Sequence, residues 1–140
     1  MICTFFGHSD TTNETRLKTK TTIEKLILDG VRQYYVGNNG NFDYIVQSVL
    51  EELSQKYDIN FTVVLSYINE KSICADQYYT IYPEGLERTP LRFAISKRNE
   101  WMIKKSNIAV CYVKHSLSNS HKWLEMAKKK GLKVINIVDL

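Results

Sequence analysis

The sequence predicts an α/β fold: a three-layer, Rossmann-like domain built on a mostly parallel sheet of about five or more strands. Three observations carry this. Short apolar, β-branched runs alternate with longer amphipathic ones along the whole chain. Several strand-like runs are apolar without strict alternation, as strands covered on both faces are. Small polar, glycine-bearing tetrapeptides follow the first two of these runs.

Taken in order, Met1 to Phe6 reads as a buried strand that stops at Gly7-His8-Ser9-Asp10. After a Thr-rich stretch, Ile23, Leu26 and Ile27 give helical spacing over Thr21 to Leu28. Tyr34-Tyr35-Val36 is a second strand, ended by Gly37-Asn38-Asn39-Gly40. The clearest helix follows, from about Phe42 to Tyr57, with Ile45, Val46, Val49, Leu50 and Leu53 as its stripe. Asn41 is a candidate cap for it, and Asp43 in its first turn suits the helix dipole. Phe61 to Tyr67 is a third strand. Asn69 to Pro90 shows no period and reads as a long excursion with room for a short strand. A helix over Leu91 to Lys105, a strand over Ile108 to Val113 and a polar connection over Ser116 to Ser120 follow. A helix from His121 to Lys130, with Gly131 beyond its end, and a strand from Lys133 to Val138 complete the chain. Right-handed crossovers are expected. With no repeat and no linker, residues 1–140 read as one domain.

Composition narrows the classes. The 140 residues are 44% hydrophobic and 24% charged, with a net charge of +4. Lys128-Lys129-Lys130 reads as the last turn of a helix, where cations suit the dipole, and no second basic stripe stands out. Nucleic acid is therefore not the expected partner. Cys3 and Cys111 fall in strand-like runs and read as reduced core residues; with Cys74 they form no zinc-type spacing. No metal or cofactor is implied. No signal-peptide pattern opens the chain. No window approaches the roughly 20 apolar residues of a membrane span. The expectation is a cytoplasmic protein with no membrane partner. Its tyrosines and two tryptophans leave homo-oligomerisation open.

In an open parallel sheet, ligands bind outside the carboxyl ends of the strands. Three segments leave strands there: Gly7 to Asp10, Gly37 to Asp43, and His115 to Ser120. Backbone N–H groups at such junctions attract anions. Each segment alone has an ordinary explanation. Glycines serve turns, Ser118 or Ser120 caps a helix, and His8 or His115 is a polar surface residue. The expectation rests on their convergence at one edge. The second segment is neither GxGxxG nor a P-loop, which argues against dehydrogenase and ATPase classes. Arg98, beside Ile95 and Met102, is placed to meet a phosphate. Tyr78, Tyr79 and Tyr82 are open to base stacking or to ordinary packing.

These motifs, in this order, resemble the SLOG superfamily, which includes the LOG nucleotide phosphoribohydrolases, the DNA-processing protein A family and the YpsA-like proteins. The matching pieces are Phe5 to Asp10, Tyr35 to Asp43, Pro83-Glu84-Gly85, Arg92 to Asn99 and Val113 to Ser116. The chain looks closest to the short single-domain members common in Firmicutes and their mobile elements, which leaves a phage or mobile-element origin open. The resemblance implies a Rossmann-like fold and a nucleotide-type ligand. It implies that Gly7, His8 and Ser9 face that ligand, with Gly37, Asn38, Gly40 and Asp43 as a second wall. Arg98 and Asn99 would meet phosphate or ribose. His115, Ser116, Ser118 and Ser120 would take the phosphate end.

One departure separates two readings. The hydrolase branch has a glycine-rich phosphate loop followed by a catalytic Glu. Here Leu117 to Lys122 has no glycine and no carboxylate. The leading expectation is a sensor or sequestering protein that binds an NAD-, ADP-ribose- or other nucleotide-type molecule without catalysis. The alternative is a nucleoside 5'-monophosphate N-glycosidase, for which Asp43, Glu84 and Glu125 are the candidate acids. A DNA-binding module stands third.

Overall fold

The computed structural model describes residues 1–67 and 78–140. Cys74 and the first part of the long excursion lie outside the described residues. The strands are β1 (Ile2–Gly7), β2 (Gln33–Val36), β3 (Asn60–Val64), β4 (Thr80–Ile81), β5 (Ile108–Tyr112) and β6 (Lys133–Asn136). Among the described residues the helices are α1 (Arg16–Leu28), α2 (Asn41–Ser54), α3 (Leu91–Lys105) and α4 (Asn119–Lys129). The six strands form one sheet in the order β4-β3-β2-β1-β5-β6, and every neighbouring pair is parallel.

The order fixes where a ligand can enter. From β1 the chain steps outward through β2, β3 and β4, then returns to place β5 on β1's other side. The connections diverge at the β1–β5 pair, and that divergence opens a crevice beyond the strand ends. The pairing there runs up to Gly7 opposite Tyr112.

The strand pleat sorts apolar residues into two layers. Cys3, Phe5, Ile108, Val110 and Tyr112 face the core shared with α1 and α2. Phe6, Ala109, Cys111 and Val113 face the core shared with α3 and α4. Burying each large side chain contributes about 1.5–3 kcal/mol. Cys3 and Cys111 are free, buried thiols, and burial pushes the Cys111 thiol up to about 12.

Several boundaries differ from the sequence expectation, among them β3, which ends at Val64 and not Tyr67, and α4, which begins at Asn119 and not His121. α1 begins at Arg16, not Thr21, because Thr19 and Thr22 are buried and their hydroxyls donate to the carbonyls of Thr15 and Lys18. α2 is capped at Gly40, not Asn41; the Asn41 amide instead donates to the Thr11 carbonyl and to Asn13 Oδ1. α2 ends at Ser54. The last strand stops at Asn136, whose side chain bonds both backbone groups of Val113 and turns Ile137–Asp139 into a short 3-10 helix. The expected cap on α4 is present: Gly131 has φ +88 just beyond the helix.

Candidate functional site

A cavity of about 230 Å³ opens beyond the carboxyl ends of the central strands, between α3 and α4. The β1 exit contributes Gly7 and Ser9, and the β2–α2 turn contributes Asn39 and Asp43. Arg98 and Asn99 come from α3, and Asn119 and Ser120 from the first turn of α4. Phe5, Phe6, Met102 and Trp123 supply apolar wall, with half-exposed Ile95 among the lining.

The β2–α2 turn is built by close approach. Gly40 has φ +111, and a Cβ there would lie 2.6 Å from the Ser9 backbone. Only glycine suits both demands. The Ser9 carbonyl accepts the Asn41 N–H at 2.9 Å, which joins the β1 exit to α2. Gln47 Nε2 donates to the Gly37 carbonyl at 2.7 Å, and the Tyr44 hydroxyl donates to the Asn38 carbonyl at 3.1 Å.

Arg98 sits at the centre, 3% exposed. Its Nε donates to Asn99 Oδ1 at 2.9 Å. Its Nη1 donates to Asn39 Oδ1 at 2.8 Å and to the Val64 carbonyl at 3.3 Å. Among the described residues, none accepts from Nη2. Asp43 is buried beside it, and its carboxylate accepts the Asn39 N–H at 2.9 Å. Gly37 lies between the two charges: a Cβ there would stand 2.5 Å from Arg98 Nη1 and 2.8 Å from Asp43 Oδ2. Burial raises the Asp43 carboxyl above its ordinary value, and the Arg98 charge pulls it back. Burial likewise lowers the Arg98 guanidinium, Asp43 opposes that, and an arginine stays charged at neutral pH. The result is a buried, charge-compensated pair that holds a rigid, partly unused donor at a cavity.

Of the residues expected at the site, Gly7, Ser9, Asp43, Arg98, Asn99 and Ser120 meet in this cavity. Gly37 and Gly40 stand directly behind it. Asn38 does not line it. His8 does not face it either, because its ring turns toward the β5 exit and Nε2 accepts the Lys114 N–H at 2.8 Å. His115 and Ser116 line a different crevice of about 300 Å³ with His121 and Glu125. Ser118 is the α4 cap: its hydroxyl accepts the His121 N–H at 3.1 Å. The three candidate acids also separate. Asp43 lies in the central cavity and Glu125 in the second, while Glu84 lies in a third of about 340 Å³ beside Trp101.

Sequence reading missed Asn39 and Asn119. Asn39 links Arg98, Asp43 and the Ser66 hydroxyl, which donates to its Oδ1 at 3.3 Å; nothing in the sequence separates it from Asn38. The tyrosines are mostly taken up by packing. Tyr78 lies on Phe61 and donates to Glu51 at 2.7 Å, Tyr82 packs on the core, and Tyr79 is 83% exposed. Trp123 stacks on Phe6, and Trp101 packs on Tyr35. Among the described residues, no three metal-ligating side chains converge and no helix is long and apolar enough to cross a membrane.

The mild net charge conceals an uneven distribution. Residues 91–133, which carry α3 and α4, hold eleven Lys and Arg against two acids. Both helices pack on the same face of the sheet. α3 carries five of these cations, Arg92, Lys97, Arg98, Lys104 and Lys105, of which Arg98 is buried.

No family model matches the chain, and no curated protein matches it. Among solved structures it is similar to DNA processing protein A (DprA) from Streptococcus pneumoniae, with a TM-score of 0.72 at 14% sequence identity. The match covers 94% of this chain and 48% of that one, so the chain spans about half the length of its structural neighbour. The likeness is one of fold: among the described residues the protein is a six-stranded, all-parallel, Rossmann-like α/β structure, similar in fold to DNA processing protein A.

Proposed function

We propose that the protein binds a nucleotide-type small molecule in the cavity between α3 and α4 and does not hydrolyse it. The observation that carries this is Arg98, buried, braced by Asn39 and Asn99, and left with Nη2 as an unused donor at the cavity. The first turn of α4, with Asn119 and Ser120, adds backbone N–H groups on the opposite side, where an anion is favoured. The cavity is below the usual range of about 300–1,000 Å³ for ligand sites, which suits a sugar-phosphate portion better than a whole dinucleotide. The acids argue against catalysis, because only Asp43 lies in the cavity, its carboxylate already accepts the Asn39 N–H, and the nearby Arg98 charge acts on it.

Calorimetry with AMP, CMP, NAD and ADP-ribose tests the reading, paired with chromatography for released base. Binding of at least one nucleotide is expected, with no free base. Arg98→Lys removes a charge-assisted hydrogen bond worth about 1.5–3 kcal/mol, an affinity loss of about 10- to 150-fold. No binding to any of the four overturns the reading. Release of base that stops in Asp43→Asn favours the N-glycosidase instead.

A second reading has its own support. The basic α3/α4 layer and the fold shared with a DNA processing protein both favour contact with nucleic acid. Affinity for single-stranded DNA that falls steeply with salt, and that weakens on changing Lys122 and Lys129 to Glu, is its expected signature.

A further inference from the structure

We infer that His8 is a positioning residue: its neutral imidazole is a proton-sensitive latch that ties the β5–α4 connection to the β1 exit. His8 Nε2 accepts the Lys114 N–H at 2.8 Å across 106 residues of sequence, and His8 is 9% exposed. Among the described residues, it is the only hydrogen bond that ties residues 114–118 to the rest of the molecule outside α4. Lys114 to Leu117 are exposed. The remaining bonds of this stretch are local: the Ser118 N–H and hydroxyl both donate to the His115 carbonyl.

The two ends of the latch carry two walls of the cavity. His8 stands between Gly7 and Ser9, and Lys114 leads through the Ser118 cap into Asn119 and Ser120. An imidazole can accept at Nε2 only when that nitrogen is unprotonated, so the proton must sit on Nδ1. A second proton converts Nε2 to a donor facing the Lys114 N–H, and the bond is lost.

The surroundings favour the neutral form. The His115 ring lies 5.4 Å from that of His8, the Tyr112 ring meets it edge-on at 6.2 Å, and the Lys114 charge is nearby. Asp10 is the one neighbour that favours the cation. Burial first, then His115, lowers the His8 value below that of an ordinary histidine. The latch stands without any ligand; only its consequence for binding rests on the nucleotide reading. Acidification through the His8 value frees the α4 wall and weakens whatever the cavity holds.

The test reads the latch itself. Long-range nitrogen–proton NMR on the full chain assigns the His8 tautomer and its titration, and amide hydrogen exchange gives the Lys114 protection factor across pH. The expected result is Nδ1–H at neutral pH, with Lys114 protection falling about tenfold per pH unit once His8 titrates, as the neutral fraction does. Amides of the β1–β5 ladder, such as Phe6 and Cys111, stay protected. His8→Gln, which keeps an acceptor without a titration, retains Lys114 protection across the range, and His8→Leu loses it at every pH. A proton on Nε2 at neutral pH, or Lys114 protection indifferent to the His8 titration in the wild-type protein, overturns the inference whether or not the variants fold. Neither result depends on nucleotide binding.

Discussion

The two loops that flank the cavity are held in opposite ways. The β2–α2 turn is braced from several sides: Ser9 packs on Gly40, Gln47 holds the Gly37 carbonyl, and Asn39 is shared by Asp43 and Arg98. The β5–α4 connection is exposed, and one bond from His8 crosses to it after Asn136 has braced Val113. The first is a fixed wall whose geometry the core sets. The second follows the state of a single imidazole. On the proposed nucleotide reading, the rigid side would orient the ligand and the adjustable side would admit it.

The largest effect is expected on the fixed side. Arg98→Ala leaves Asp43 buried without its neighbouring cation and orphans the Asn39 and Asn99 acceptors, at about 1–3 kcal/mol for each group left unpaired, read as a fall in denaturant midpoint. Arg98→Met combined with Asp43→Asn removes both charges and should recover most of that loss while abolishing ligand affinity. If the single and double variants are equally unstable, the two charges do not act as a pair. Gly37→Ala comes next, because its methyl displaces both Arg98 and Asp43. A loss of about 1–3 kcal/mol is expected, with weaker nucleotide binding in calorimetry.

On the adjustable side the effects are smaller. Ser118→Ala removes the α4 cap and should cost about 1 kcal/mol, visible as faster amide exchange at His121. A loss as large as that of Arg98→Ala erases the contrast between the loops. The smallest expected effect is that of pH. The His8 value is lowered on folding, so its contribution is complete above the ordinary pH 6.5 and is lost as pH falls through the folded value. Asp43, raised by burial, has the opposite sign: its ionisation costs stability as pH rises through its folded value. The difference in thermal midpoint between wild type and His8→Gln isolates the first term, and it should widen only below pH 6.5.

The strand–helix alternation was legible because each core layer is written in apolar residues at regular spacing. Where burial uses polar atoms, the pattern failed. Thr19 and Thr22 are buried with their hydroxyls turned back onto α1, so no apolar period marks the start of that helix. The position of the cavity was legible from the small residues after β1 and β2, since Gly37 and Gly40 are required by contacts at those points. Its membership was not. Asn39 and Asn38 are identical in sequence, and only the arrival of Arg98 from 59 residues away distinguishes them. His8 was expected to face the ligand for its place beside Gly7; its partner, 106 residues on, turns it elsewhere. The mild net charge hides an uneven distribution along the chain, because the acids of residues 1–67 offset the cations of residues 91–133.

The most direct test of a ligand site at the α3/α4 cavity is a nitrogen–proton correlation spectrum of labelled protein titrated with AMP and ADP-ribose. Saturable shifts at the amides of Gly7, Ser9, Asn39, Asn119 and Ser120, together with the Arg98 guanidinium, are the predicted result. Shifts confined to the crevice at His115 and Glu125, or none at millimolar nucleotide, contradict it.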